Sequence, residues 1–186
     1  MRKFGILSST IFIAVILSGI YGIIHDQITY SISSEYFTKF KYEQFGFKPE
    51  DYGGDRQAVA IIGFLATWWV GLWVGIIIGC VGLIYPNHKQ MKKGMTKALL
   101  IVFVSAVVFG VIGFFRGRYH LSSAGVNWWL PDDLINKSDF ITVGSIHNYS
   151  YLGGGIGLLI TIIYIIRDNI LLKKKNEGYK KMEANL

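Results

Sequence analysis

The stretch AVAIIGFLATWWVGLWVGIIIGCVGLIY, residues 58–85, contains no charged side chain. As a helix it would rise about 42 Å, more than the ~30 Å of hydrocarbon in a bilayer. Lipid offers no partner to an unpaired backbone amide or a bare charge, so such a run reads as a membrane-spanning helix. Working outward, three more runs share its character: 4–24, 96–115 and 149–166. None has Asp, Glu or Arg in its interior. The sequence therefore predicts an all-α, four-helix transmembrane bundle forming one membrane domain over 1–186.

Between the spans lie two 33-residue segments, 25–57 and 116–148, and a short connection at 86–95, with a tail at 167–186. Charge is unequally shared among them. The N-terminus, the short connection with Lys97 just beyond it, and the tail carry twelve cations against Asp168, Glu177 and Glu183. The two longer segments carry seven cations against nine acids. By the positive-inside rule both termini and 86–95 are expected in the cytoplasm, and 25–57 and 116–148 outside. The formal net charge of +7 is then a topology signal rather than a nucleic-acid footprint. The lysine-rich tail suits anionic lipid headgroups. Met1-Arg2-Lys3 before an apolar run also resembles a signal peptide, but the run is long and no small-x-small site follows, so an uncleaved anchor is expected. The single cysteine, Cys80, excludes an intrachain disulfide.

Small residues recur at four-residue spacing: Gly71, Gly75 and Gly79, then Ala106 and Gly110, with Gly153-Gly154-Gly155 further on. Such grooves let helix backbones approach closely. They serve packing within the chain, or a seam with a second copy or a partner membrane subunit. Trp68, Trp69 and Trp73 fall in mid-span, where they either fill space between helices or line a cavity for a flat ligand such as a quinone.

The two 33-residue outer segments are expected to form a helical extracytoplasmic cap. In 34–46, Glu35, Lys39 and Glu43 are spaced to pair along one face while Tyr36, Phe37 and Phe40 gather on another, and Gly46 suits its end. In 116–148, Pro131-Asp132-Asp133 suits the first turn of a short helix. Trp128 and Trp129 suit the membrane interface.

The chemistry sits at one depth. His25 closes the first span, His120 follows the third, and His147 precedes the fourth. Asp26 adjoins the first of these, and Glu35 lies further on. Imidazoles with a carboxylate are the ligands of zinc, iron or copper, and bundles build metal sites from several helix ends. His25, Asp26, His120 and His147 are thus candidate metal ligands, with Glu35 as a further ligand or general base. Arg116, four residues before His120, could hold an anionic headgroup. The same histidines could instead make only interfacial hydrogen bonds. The two functional expectations are a membrane protein with a divalent-metal or catalytic site at its outer face, and a non-enzymatic scaffold or accessory subunit.

The wording HDQITY at 25–30 with EYFTKF at 35–40 resembles a family of small bacterial inner-membrane proteins. The resemblance covers about 16 residues and carries no activity with it. It implies a bacterial inner (plasma) membrane location.

Overall fold

The computed structural model describes residues 2–183, and among these helices are the regular structure, with no strand. Six α-helices follow in order: α1 (Arg2–Ile32), α2 (Tyr42–Phe45), α3 (Asp55–Gly82), α4 (His88–Arg116), α5 (Ser122–Ala124) and α6 (Lys137–Glu183). π-helical turns at Phe37–Lys41 and Gly117–Leu121 and a 3-10 turn at Pro49–Tyr52 fill the connections. α1, α3, α4 with its extension, and α6 are each long and apolar enough to cross a membrane.

Every long helix except α3 outruns the apolar stretch that announced it. The helices end where backbone chemistry changes, not where hydropathy does. α4 begins at His88 because Asn87, in extended conformation, accepts the Gln90 amide at 3.0 Å. α6 begins at Lys137, twelve residues before its apolar run, under a reciprocal cap. There Asn136 Oδ1 accepts the Asp139 amide at 3.1 Å and Asn136 Nδ2 donates to Asp139 Oδ2 at 2.6 Å. A side-chain acceptor at the N-cap satisfies an amide that no helical carbonyl can reach. α3 stops at Gly82, short of Tyr85, and a tight turn leads to Pro86.

The four long helices form two antiparallel hairpins, α1 with α3 and α4 with α6, which touch each other only lightly. Each hairpin closes on small residues. In the first, Gly22 meets Gly63, Gly71 meets Ala14, and a Cβ at Gly75 would lie 2.7 Å from the Ile11 Cα. Ser18 Oγ donates to the Thr67 carbonyl at 2.6 Å and Thr67 Oγ1 donates back to the Ser18 carbonyl at 2.8 Å. In the second, Ser105 Oγ donates to Gly153 O at 2.7 Å and Ser145 Oγ to Gly113 O at 2.8 Å. Close approach and interhelical hydrogen bonds carry such contacts where water supplies no hydrophobic drive. The Gly71, Gly75 and Gly79 groove is therefore closed within the chain, by α1.

That packing fixes the other face of α3. Trp68, Trp69 and Trp73 lie on its outside, and Trp73 is 58% exposed. Both interior expectations for these three side chains, space-filling and cavity-lining, are corrected: the glycine face turns inward and carries the tryptophans out.

The hairpins are tied together at both ends. At one end Tyr36, Phe37 and Tyr42 are buried against Ala58, Val59 and Ile62 of α3 and Phe140 and Val143 of α6. The Phe40 and Trp129 rings also meet, 6.4 Å apart. At the other, Tyr85 is fully buried with Met91, Met95 and Ile165, and its hydroxyl donates to Asp168 Oδ2 at 2.9 Å. Gly46 ends the first connecting helix at φ +66°, but that helix is broken into a π-turn and one α-turn. Pro131-Asp132-Asp133 does not start a helix. It forms a turn whose Asp133 carboxylate takes Lys39 Nζ at 3.0 Å.

Glu35 joins the two connecting segments. Its Oε1 accepts the Ile135 amide at 2.9 Å and its Oε2 the Asn136 amide at 2.8 Å, with Lys39 Nζ 3.1 Å away. Those amides, followed by Lys39, hold its carboxyl below the ordinary value of 4.5. A depressed carboxyl contributes stability above its unfolded value and loses it as pH falls through the folded one. Protection of the Ile135 and Asn136 amides from hydrogen exchange is thus expected to disappear on acidification below 4.5. Glu35→Gln should remove that pH dependence and cost about 1 kcal/mol after solvent screening. Acid-insensitive protection in the parent chain would contradict this.

Candidate functional site

Because α1 continues to Ile32 and α6 starts at Lys137, His25, Asp26 and His147 are interior helical residues and not loop residues. Helix pairing brings them together. Asp26 Oδ1 lies 3.0 Å from His25 Nδ1 and 3.2 Å from His147 Nε2. The two imidazole rings meet edge to face, 4.6 Å between centroids. All three offer donor atoms within 4.8 Å of one another, the one such group of three among the described residues.

The other ring nitrogens are also held. His147 Nδ1 donates to the Val143 carbonyl at 2.9 Å, one turn back on its own helix. A carbonyl can only accept, so this nitrogen carries the proton and Nε2 is the free one in the neutral ring. His25 Nε2 lies 3.3 Å from Ser150 Oγ, which in turn accepts from Tyr21 OH at 3.1 Å. Each imidazole thus faces Asp26 with one nitrogen and an oxygen partner with the other. This outer partnership orients and polarises metal-ligating histidines. Tyr36 stacks on the His147 ring at 4.9 Å and 26°, closing the site from the connecting segment.

Burial makes the arrangement costly. Asp26 is 3% and His147 6% exposed, and Asp26 Oδ2 is buried without a hydrogen-bond partner. Buried polar atoms are almost always paired, and an unpaired carboxylate oxygen costs several kcal/mol. Lys41, buried beside Phe40 and Phe45, adds a nearby cation; burial pushes its ammonium down while Asp26 opposes the shift.

A cavity of about 110 Å³ opens from the cluster into the space between the hairpins. Tyr21, His25, Asp26, His147 and Ser150 line its polar end, and the rest is mostly aliphatic, with Phe103, Tyr151, Ser18 and Thr67 among the lining residues.

Of the six candidate residues, the structure gathers His25, Asp26 and His147. His120 is exposed on the π-turn after α4, and Arg116 is exposed at the end of α4; neither belongs to the cluster. His120 lies beyond the helix whose buried face would have carried it inward. Glu35 is taken by the Ile135 and Asn136 amides and by Lys39. Ser150, Tyr21 and the Val143 carbonyl are members that sequence reading missed. Their signal was helical spacing, since 143, 147 and 150 share one face once α6 is known to begin at Lys137.

Compared with protein-family models, curated proteins and solved structures, the chain shows no match. The functional reading rests on this geometry.

Proposed function

We propose that this chain is a multi-pass membrane protein in which His25, Asp26 and His147 bind one divalent transition ion, zinc, iron or copper. The observation that carries the reading is the convergence of His25 Nδ1 and His147 Nε2 on the buried Asp26 carboxylate, whose Oδ1 they face and whose Oδ2 has no hydrogen-bond partner. Spacing supports it. Two donors bonded to one ion at about 2.1 Å stand roughly 3.0 Å apart at right angles and 3.4 Å apart in a tetrahedron. The two nitrogen–oxygen separations, 3.0 and 3.2 Å, lie within that span. Ionisable groups inside spanning helices are also expensive enough to imply a function by default.

With only three protein ligands, a tetrahedral ion would keep one position for an outside ligand, and the cavity is lined by all three residues. An ion so held can activate water or polarise an oxygen of a lipid-borne group. Charge asymmetry supports cytoplasmic termini, which puts the cluster near the outer face. The resemblance over 25–30 and 35–40 supports a bacterial inner membrane, and its first segment contains both His25 and Asp26.

The test is metal content after purification without chelators, followed by cobalt substitution and visible spectroscopy. Stoichiometric metal is expected in the parent chain and in His120→Ala and Glu35→Gln. His25→Ala, Asp26→Asn and His147→Ala are each expected to lose it. A chain that stays metal-free on reconstitution, or one in which His120→Ala is as damaging as His147→Ala, would refute the assignment.

A further inference from the structure

We infer that the cleft between the first turns of α1 and α4 binds the headgroup of an anionic glycerophospholipid from the surrounding bilayer. The inference needs the chain to cross a membrane but does not need the metal. It starts from two helices that set out side by side, α1 at Arg2 and α4 at His88. A cleft of about 490 Å³ lies between them, at the opposite end of the bundle from the histidines.

Charge makes the first selection. Arg2, Lys89 and Lys92 line the cleft beside His88, and no acid does. Among the described residues none of those three cations has an ion-pair partner. Lys3, next in sequence to Arg2, shows the contrast. Its ammonium donates to the Leu83 carbonyl at 3.1 Å and to that of Tyr85, just past the end of α3. A topology signal accounts for cations on this side of the membrane. It does not account for three unpaired ones gathered across one cleft from two helices. Both helices also begin here, so the positive ends of their dipoles add to the field. Basic pockets between spanning helices at the cytoplasmic face suit anionic headgroups. A zwitterionic head would bring its own cation beside Arg2, Lys89 and Lys92, and so is disfavoured.

Depth makes the second selection. α1 and α4 run the same way from this end, and each residue step goes about 1.5 Å deeper. Along α1 the lining passes from Arg2 through Ser9 and Thr10 to Ile13, and along α4 from Lys92 through Thr96 to Leu99. The three hydroxyls donate to carbonyls of their own helices, so the middle zone is polar without being charged. Charge, hydroxyl and hydrocarbon succeed one another as phosphate, glycerol ester and acyl chain do in a phospholipid. A free phosphate would use only the first zone. Ile13 is 46% exposed, so the deep end opens to the bilayer. Acyl chains can then stay in lipid, and the cleft sets no limit on their number.

The experiment titrates the full chain in mild detergent with phosphatidylglycerol, phosphatidylcholine or glycerol 3-phosphate and counts adducts by native mass spectrometry. One phosphatidylglycerol is expected to bind about tenfold more tightly than phosphatidylcholine. Lys89→Gln with Lys92→Gln should weaken that adduct about tenfold or more. Lys93→Gln with Lys97→Gln removes the same charge from outside the cleft and should leave the adduct unchanged. Arg2→Gln, on the other helix, gives a second reading should the first pair disturb folding. Glycerol 3-phosphate should not displace the lipid. Equal binding of phosphatidylcholine, or equal loss in the two lysine pairs, would reduce the cleft to general surface charge and overturn the inference. Displacement by glycerol 3-phosphate would make it a free-phosphate site and overturn the lipid assignment. Alkaline carbonate separates this inference from the membrane reading beneath it. A chain stripped from membranes by carbonate loses both, and one that stays but shows no lipid preference loses this one alone.

Discussion

Gly22→Ala is expected to unfold the α1–α3 hairpin or destabilise it by about 3 kcal/mol or more, the upper range for overpacking. A methyl group at residue 22 would fall well inside contact distance of the Gly63 carbonyl oxygen and of Thr67 Oγ1. The threonine can rotate or be shortened; the carbonyl cannot, because it belongs to the α3 backbone. Thr67→Ala is therefore expected not to rescue the variant. Gly63→Ala should behave alike, since its methyl would meet the Gly22 carbonyl. The damage should also reach the cluster. Asp26 stands one helical turn beyond Gly22 on the same face of α1, so pushing the helices apart withdraws its carboxylate from His147. Gly155→Ala serves as the control, because nothing lies within 4 Å of a Cβ there. Loss of helical signal on heating in detergent gives the measurement. Equal melting of the residue 22 and residue 155 variants would show that the close approach of α1 and α3 carries no stability.

The long apolar runs made four helices legible, because a charge-free stretch of that length has few other uses. Their true ends were not legible from hydropathy. The start of α6 is written in Asn136 and Asp139, a capping pair that a search for apolar residues passes over. Helix pairing was half legible. Glycine spacing marked the inner face of α3, yet only the fold shows α1 lying in that groove and the tryptophans opposite it.

The same difference governs the site. His25 and His147 were visible as histidines at equal depth, and Asp26 as a neighbour of one of them. Treating His147 as a loop residue hid its partners, since Val143 and Ser150 become neighbours only through helical periodicity. Depth alone also admitted His120. Depth is a property of distance along the membrane normal, whereas convergence depends on which face of a helix a side chain occupies. Glu35 misled for a related reason. An acid near the bundle mouth can serve a metal, but two unpaired amides at Ile135 and Asn136 claim it first.

Removing the whole cluster is expected to cost less than removing one member. Asp26→Ala alone removes the buried carboxylate that both His25 Nδ1 and His147 Nε2 face, and leaves the two imidazoles and the buried Lys41 without it. Breaking a buried charged pair from one side typically costs about 3–5 kcal/mol. The change Asp26→Leu, His25→Phe, His147→Phe removes the carboxylate together with both imidazoles that face it, and Lys41→Met made alongside removes the buried cation that Asp26 offsets. His147→Phe also keeps a ring at 147 for Tyr36 to stack on, in place of the imidazole now 4.9 Å away. Replacing a buried polar set by apolar groups of similar volume is commonly neutral, or stabilising by about 1–4 kcal/mol. The combined variant should therefore melt at or above the parent chain, while Asp26→Ala melts well below it and neither binds metal. That pattern would mean the polar cluster is maintained against stability, as a binding centre is and a structural tie is not. If the combined variant fails as badly as the single one, these side chains hold the hairpins together, and the case for a functional site loses its energetic basis.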